Sequence, residues 1–168
     1  MKFSTIAALI NTAHEFFPEV LAAGQALHKS NRAWRECHFA ILCGGPADFP
    51  VEFAIQVGET RGSHGRRNAA HYEALRQSEA LNRKIEKGIL ASSQINDVGG
   101  AVVLEIEGIE TIFSVRGFPK PHDNEAFAML LLQAFRPDNH VITERCTLIA
   151  EMTHNRSYKE LKKALLSQ

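Results

Sequence analysis

The sequence predicts an α+β domain with an antiparallel sheet, and three observations lead there. Near both ends of the chain, apolar residues recur at three- and four-residue steps, as the buried stripe of a helix requires. Between those segments lie short runs in which apolar and polar side chains alternate, the period of a strand. These runs come in pairs separated by turn residues, which marks hairpins rather than parallel strands joined by long crossovers.

Ser4 to Leu27 places Ile6, Leu9, Ile10, Ala13, Phe17, Val20 and Leu21 on one helical stripe. Pro18 falls inside it; a proline lacks a backbone donor and crowds the preceding turn, so a kink or two separate helices are expected. "CHFAILC" sets Cys37, Phe39, Ile41 and Cys43 on one strand face and His38, Ala40 and Leu42 on the other. Both faces are largely apolar, the pattern of a central strand. "GGPADFP" supplies turn residues, and "VEFAIQV" then alternates Val51, Phe53, Ile55 and Val57 against Glu52, Ala54 and Gln56, completing a hairpin.

"GETRGSHGRRN" breaks the periodicity and leads into a long helix carrying Ala70, Ala74, Leu81, Ile85 and Ile89, ending near Gly88. A second hairpin follows: Val102, Leu104 and Ile106 alternate before a Glu107-Gly108 turn, and Ile109, Thr111, Phe113 and Val115 after it. The Gly117-Phe118-Pro119 corner opens onto a helix with Ala126, Met129, Leu130 and Leu132 inward and Asp123 or His122 as cap. "HVITERCTLIAEM" reads as a last strand and "SYKELKKALL" as a terminal helix with Leu161, Ala164 and Leu165 inward. No repeat, low-complexity run or linker divides the chain, so residues 1–168 are expected to form one domain, with helices across the sheet faces.

Lys plus Arg equals Asp plus Glu at 19 each, which leaves no net field to hold a polyanion and argues against nucleic acid as a partner. No apolar stretch approaches the roughly 20 residues that span a bilayer, so no membrane partner is expected. Asn11, His14 and Glu15 interrupt the first apolar run before a signal-peptide core is complete. Cys37, Cys43 and Cys146 have no CxxC or zinc spacing and suit reduced thiols, so a cytoplasmic location is expected. The 8 histidines include no metal-ligand motif.

Chemistry concentrates in "ETRGSHGRRNAAH", where Arg61, Ser63, His64, Arg66, Arg67 and His71 precede a helix. Glycines let backbone amides approach a ligand closely and a helix N-terminus favours negative charge, so the stretch reads either as an anion site or as a solvated connector. The Gly117 to Pro119 corner would form a rigid wall facing it. Cys43 lacks a sequence-evident base, and Glu105, Glu107 and Glu110 read either as acid-base groups or as a solvated sheet face. The free sheet edges and the small residues Ala70 and Ala74 predict a homo-oligomer.

"GGAVVLEIEGIETIFSVRGFPKPHDNEAFA" resembles the haem-binding, GlcG/HbpS-like domain family, whose C-terminal half runs Gly-Gly, strand, acidic-Gly turn, strand, glycine corner and an Asp-led helix. The corresponding residues are Gly99-Gly100, Glu107-Gly108, Gly117 and Asp123. The resemblance implies a profilin-like fold, helix- and sheet-mediated assembly, and a pocket for haem or another small anionic ligand. Arg61, Ser63, His64, Arg66, Arg67, His71, Gly117 and Pro119 would then line it, with His14 as an alternative haem ligand. A redox or lyase enzyme on the same pocket, and a ligand-free interaction domain, are the competing expectations.

Overall fold

The computed structural model describes residues 2–28, 36–43, 51–58, 72, 74, 76, 80, 87–95, 100–118 and 120–167; within the first hairpin, side-chain burial is described for Ile55 and Val57. The first helix, α1 (Phe3–Leu27), buries Leu9, Ala13, Phe17, Val20 and Ala23, the stripe that its periodicity predicts. Of the kink or two helices expected at Pro18, the chain forms one helix rather than two. Pro18 is exposed, and the carbonyl it leaves without a helical partner belongs to the exposed His14, where water can satisfy it.

Four antiparallel strands follow: β1 (Glu36–Cys43), β2 (Val51–Gly58), β3 (Ala101–Ile106) and β4 (Ile109–Arg116). Their spatial order is β2-β1-β4-β3, so the doubly apolar "CHFAILC" occupies an interior position as its pattern predicts. The two hairpins join through β1 and β4, with Phe39 opposite Val115 and Ile41 opposite Phe113. In the second hairpin Val103 faces Ile112 and Glu105 faces Glu110. Glu107 and Gly108 turn the chain at φ 53° and 75°, left-handed at both positions, which matches the right-handed twist of the flanking strands.

Both faces of this hairpin are buried along most of its length, so Val102, Val103 and Leu104 are apolar in succession instead of strictly alternating. The outer edge of β3 is partly covered, because Leu90 accepts the Val103 amide at 2.8 Å and Ala91 bridges to Val102. A single 3-10 turn, Ser92–Ile95, continues from that cover.

The chain ends in three helices: α2 (Pro121–Phe135), α3 (His140–Met152) and α4 (Arg156–Leu165). The second of these corrects the strand expected over "HVITERCTLIAEM". Its β-branched Val141, Ile142 and Thr143 favour a strand locally, but the residues that become buried, Ile142, Cys146, Ile149 and Ala150, follow the helical period. Asn139 starts the helix, its side-chain oxygen accepting the Ile142 amide at 3.2 Å. Helix α2 packs on β3 and β4 and is almost wholly buried, with Phe127, Met129 and Leu131 among the largest inaccessible side chains. Among the described residues, no helix is long and apolar enough to cross a membrane.

Replacing Asn139 by Ala removes the cap and is expected to cost about 1 kcal/mol in urea denaturation. An unchanged midpoint would contradict the capped-helix assignment.

Candidate functional site

At the end of β4 the backbone turns at Gly117, whose φ of 144° lies where side chains with a Cβ are strained. The next residue, Phe118, turns inward. It packs against Phe17 and Phe127 with ring centroids 6.2 and 5.3 Å away, tying the corner to α1 and α2. Its backbone is held from the other side by Asn124, whose oxygen accepts the Phe118 amide at 3.0 Å. The Asn124 amide donates to the carbonyls of Phe118 at 3.3 Å and Lys120 at 3.0 Å.

Asn124 is one of three consecutive polar residues in the first turn of α2 that are buried, together with Asp123 and Glu125. Asp123 reaches back to the Lys120 amide at 3.2 Å and accepts the Ser157 hydroxyl at 2.6 Å, so it closes the first turn of α2 and anchors α4 at once. His122 contributes its carbonyl, which accepts the Asn155 amide at 3.0 Å, while the Asn155 oxygen caps α4 through Tyr158. The N-cap is Lys120 rather than the expected Asp123 or His122, and Asp123 stands at the third helical position, accepting the Lys120 amide.

Glu125 points at the 3-10 turn. It accepts the Ser92 hydroxyl at 3.1 Å, the Ser93 amide at 2.9 Å and the Ser93 hydroxyl at 3.0 Å. Ser92 in turn accepts the amides of Gly100 and Ala101 at 2.8 and 2.9 Å, fixing the start of β3. Burial raises the carboxyl's pKa above its ordinary value, opposed by the Ser93 amide and hydroxyl, by His122 and by the Ser92 hydroxyl. None of Ser92, Ser93, Asn124, Glu125 or Asn155 was indicated by periodicity. The available signal was the run Asp-Asn-Glu at the head of an otherwise apolar helix, too many polar groups for a core face unless paired.

Of the residues singled out from sequence, Arg61, Ser63, His64, Arg66, Arg67, His71 and Pro119 lie outside the described residues. Gly117 is half-buried at the corner, and His14 is exposed on α1. Tyr72, Ala74, Arg76 and Ala80 are helical, and the Ala74 carbonyl accepts the buried Ser114 hydroxyl at 2.8 Å. Ala74 thus contacts β4 at Ser114, three residues before Gly117 in the chain. Ala74 is fully buried within the chain, so it does not offer the close contact between subunits expected of it.

Cys146 is buried, with its sulfur 3.6 Å from the Met129 carbonyl, and desolvation pushes its thiol up to about 12. It is a packing residue rather than a nucleophile. Compared with models of protein families, with curated proteins and with solved structures, the chain matches none.

Glu125 makes stability depend on pH in a definite direction. A carboxyl whose pKa is higher folded than unfolded penalises the native state above the folded value, and the penalty is relieved as pH falls from the folded value to the unfolded one. Stability of the parent relative to Glu125→Gln should therefore rise as pH falls toward the ordinary glutamate range of about 4.3. Glu125→Ala, which strands the serine donors, should cost about 1–3 kcal/mol. A pH-independent difference between parent and Glu125→Gln in denaturant titrations would contradict the desolvated carboxyl.

Proposed function

We propose that the chain is a small-ligand-binding module of GlcG/HbpS-like type, cytoplasmic and homo-oligomeric, that takes haem or another anionic ligand with an apolar body. The observation that carries this reading is the Ser114 to Ala74 hydrogen bond of 2.8 Å. It ties the helical residue Ala74 to Ser114 of β4, three residues before Gly117, and in the chain Ala74 comes shortly after Arg61, Ser63, His64, Arg66, Arg67 and His71. The Asn124 clamp adds to the support, because a wall fixed before ligand arrives saves the entropy of ordering it on binding.

In this reading the arginines supply charge-assisted hydrogen bonds to carboxylates, such as the propionates of haem. The corner supplies a fixed apolar wall, and haem itself would supply the iron and the macrocycle. Binding is favoured over catalysis because an apolar pocket with a few polar anchors suffices for it, whereas catalysis needs a base held beside a nucleophile and the sequence offers no such pair.

Titration with haemin, followed by absorbance, should give a saturable spectral shift. Replacing Arg61 and Arg66 together by Ala should weaken binding at least tenfold, about 1.4 kcal/mol, while thermal unfolding stays within about 0.5 kcal/mol of the parent. Absence of a saturable shift would eliminate haem. Equal binding by the double variant would move the site to His14 on α1.

A further inference from the structure

At the other end of the second hairpin lies a cleft of about 280 Å³ that the proposed ligand site does not use. Its floor is Val103 and Ile142, its rim Val141, and its charged groups are Glu105, Glu110 and Arg145. Glu110 lies seven residue steps before Gly117, which puts the cleft about 23 Å from the corner.

The charges are arranged unusually. Glu105 and Glu110 are directly opposite one another in the antiparallel pair, on the face that carries Val103 and Ile112. Side chains so placed have Cβ atoms about 5 Å apart, and two like charges there repel. Arg145 stands across the cleft on α3, half-buried, yet among the described residues no hydrogen bond or ion pair joins it to either carboxylate. The first turn of α3, with Val141 and Ile142, contributes the positive end of the helix dipole on Arg145's side. A small cavity therefore keeps two negative groups and one positive group apart on opposite walls, over an apolar floor.

We infer that this cleft binds a small zwitterion of the basic amino-acid class, with its carboxylate at Arg145 and its amino groups at Glu105 and Glu110. Two ammonium groups and one carboxylate match the signs and number of the three side chains. The ligand's methylene chain covers Val103, Val141 and Ile142. Binding neutralises the repulsion between the carboxylates, and the guanidinium gains a bidentate partner that neither Glu105 nor Glu110 gives it. A neutral amino acid leaves one of the two carboxylates unpaired, and a diamine leaves the arginine unpaired, so both are discriminated against.

Calorimetric titration of the full chain with L-lysine tests this, with L-norleucine and 1,5-diaminopentane as probes that each lack one charged end. Saturable binding of lysine, at least tenfold tighter than either probe, is expected. Glu110→Gln and Arg145→Met should each weaken lysine at least tenfold, and because these side chains are not fully buried both variants should keep the parent's far-UV circular dichroism. Haemin binding should be unchanged in both, which separates this cleft from the corner site. No saturable heat with lysine would overturn the inference. So would equal binding of the diamine, which would reveal only an acidic patch, or equal lysine affinity in folded variants.

Discussion

The structure depends on a buried polar turn. Asp123, Asn124 and Glu125 stand where α2 meets the corner, and burial of three such side chains would cost several kcal/mol if they were unpaired. Each has partners from a different segment: Asp123 from α4, Asn124 from the corner, and Glu125 from the 3-10 turn that starts β3. Satisfying the three sets of bonds places four pieces of chain at once. An apolar core can be repacked with modest loss, but this arrangement accepts one geometry, because a shift of about an ångström breaks bonds that water does not replace.

The aromatic contacts act on the same point from the apolar side. Phe17, Phe118 and Phe127 bring α1, the corner and α2 together, so the backbone of Phe118 is held by Asn124 while its ring is held by packing. A corner fixed from both sides has little conformational freedom left to lose. Gly117 is needed because the chain must turn at a positive φ between a strand that is buried on both faces and a helix that is buried almost throughout.

Much of this architecture was legible in the residues. The stripe on α1, the two hairpins, the interior place of β1, the Glu107-Gly108 turn and the start of α2 follow from period and turn chemistry, which are local properties. The strand reading of residues 140–152 failed because Val141, Ile142 and Thr143 have strand propensity, and a short apolar-rich run does not distinguish the two periods until burial is known. Phe3–Leu27 forms one helix rather than two because Pro18 faces solvent, and solvent exposure is a property of packing rather than of the residue. The polar network was illegible for a deeper reason. Ser92 and Glu125 are 33 positions apart, and neither has an identity that announces the other. The cleft at Glu105, Glu110 and Arg145 likewise required the register of β3 against β4 and the helical state of α3.

Hydrogen exchange at single amides tests the central claim most directly. The amides of Phe118, Ser93, Gly100 and Ala101 are bonded to side chains of the network rather than to a regular ladder. If the buried turn holds the four segments as a unit, these amides exchange only with global unfolding, at the rates of the central β4 amides. Exchange of Phe118 and Ser93 at the rate of open loops, with β4 still protected, would show that the corner moves independently, and the account of a corner fixed by the buried turn would be wrong.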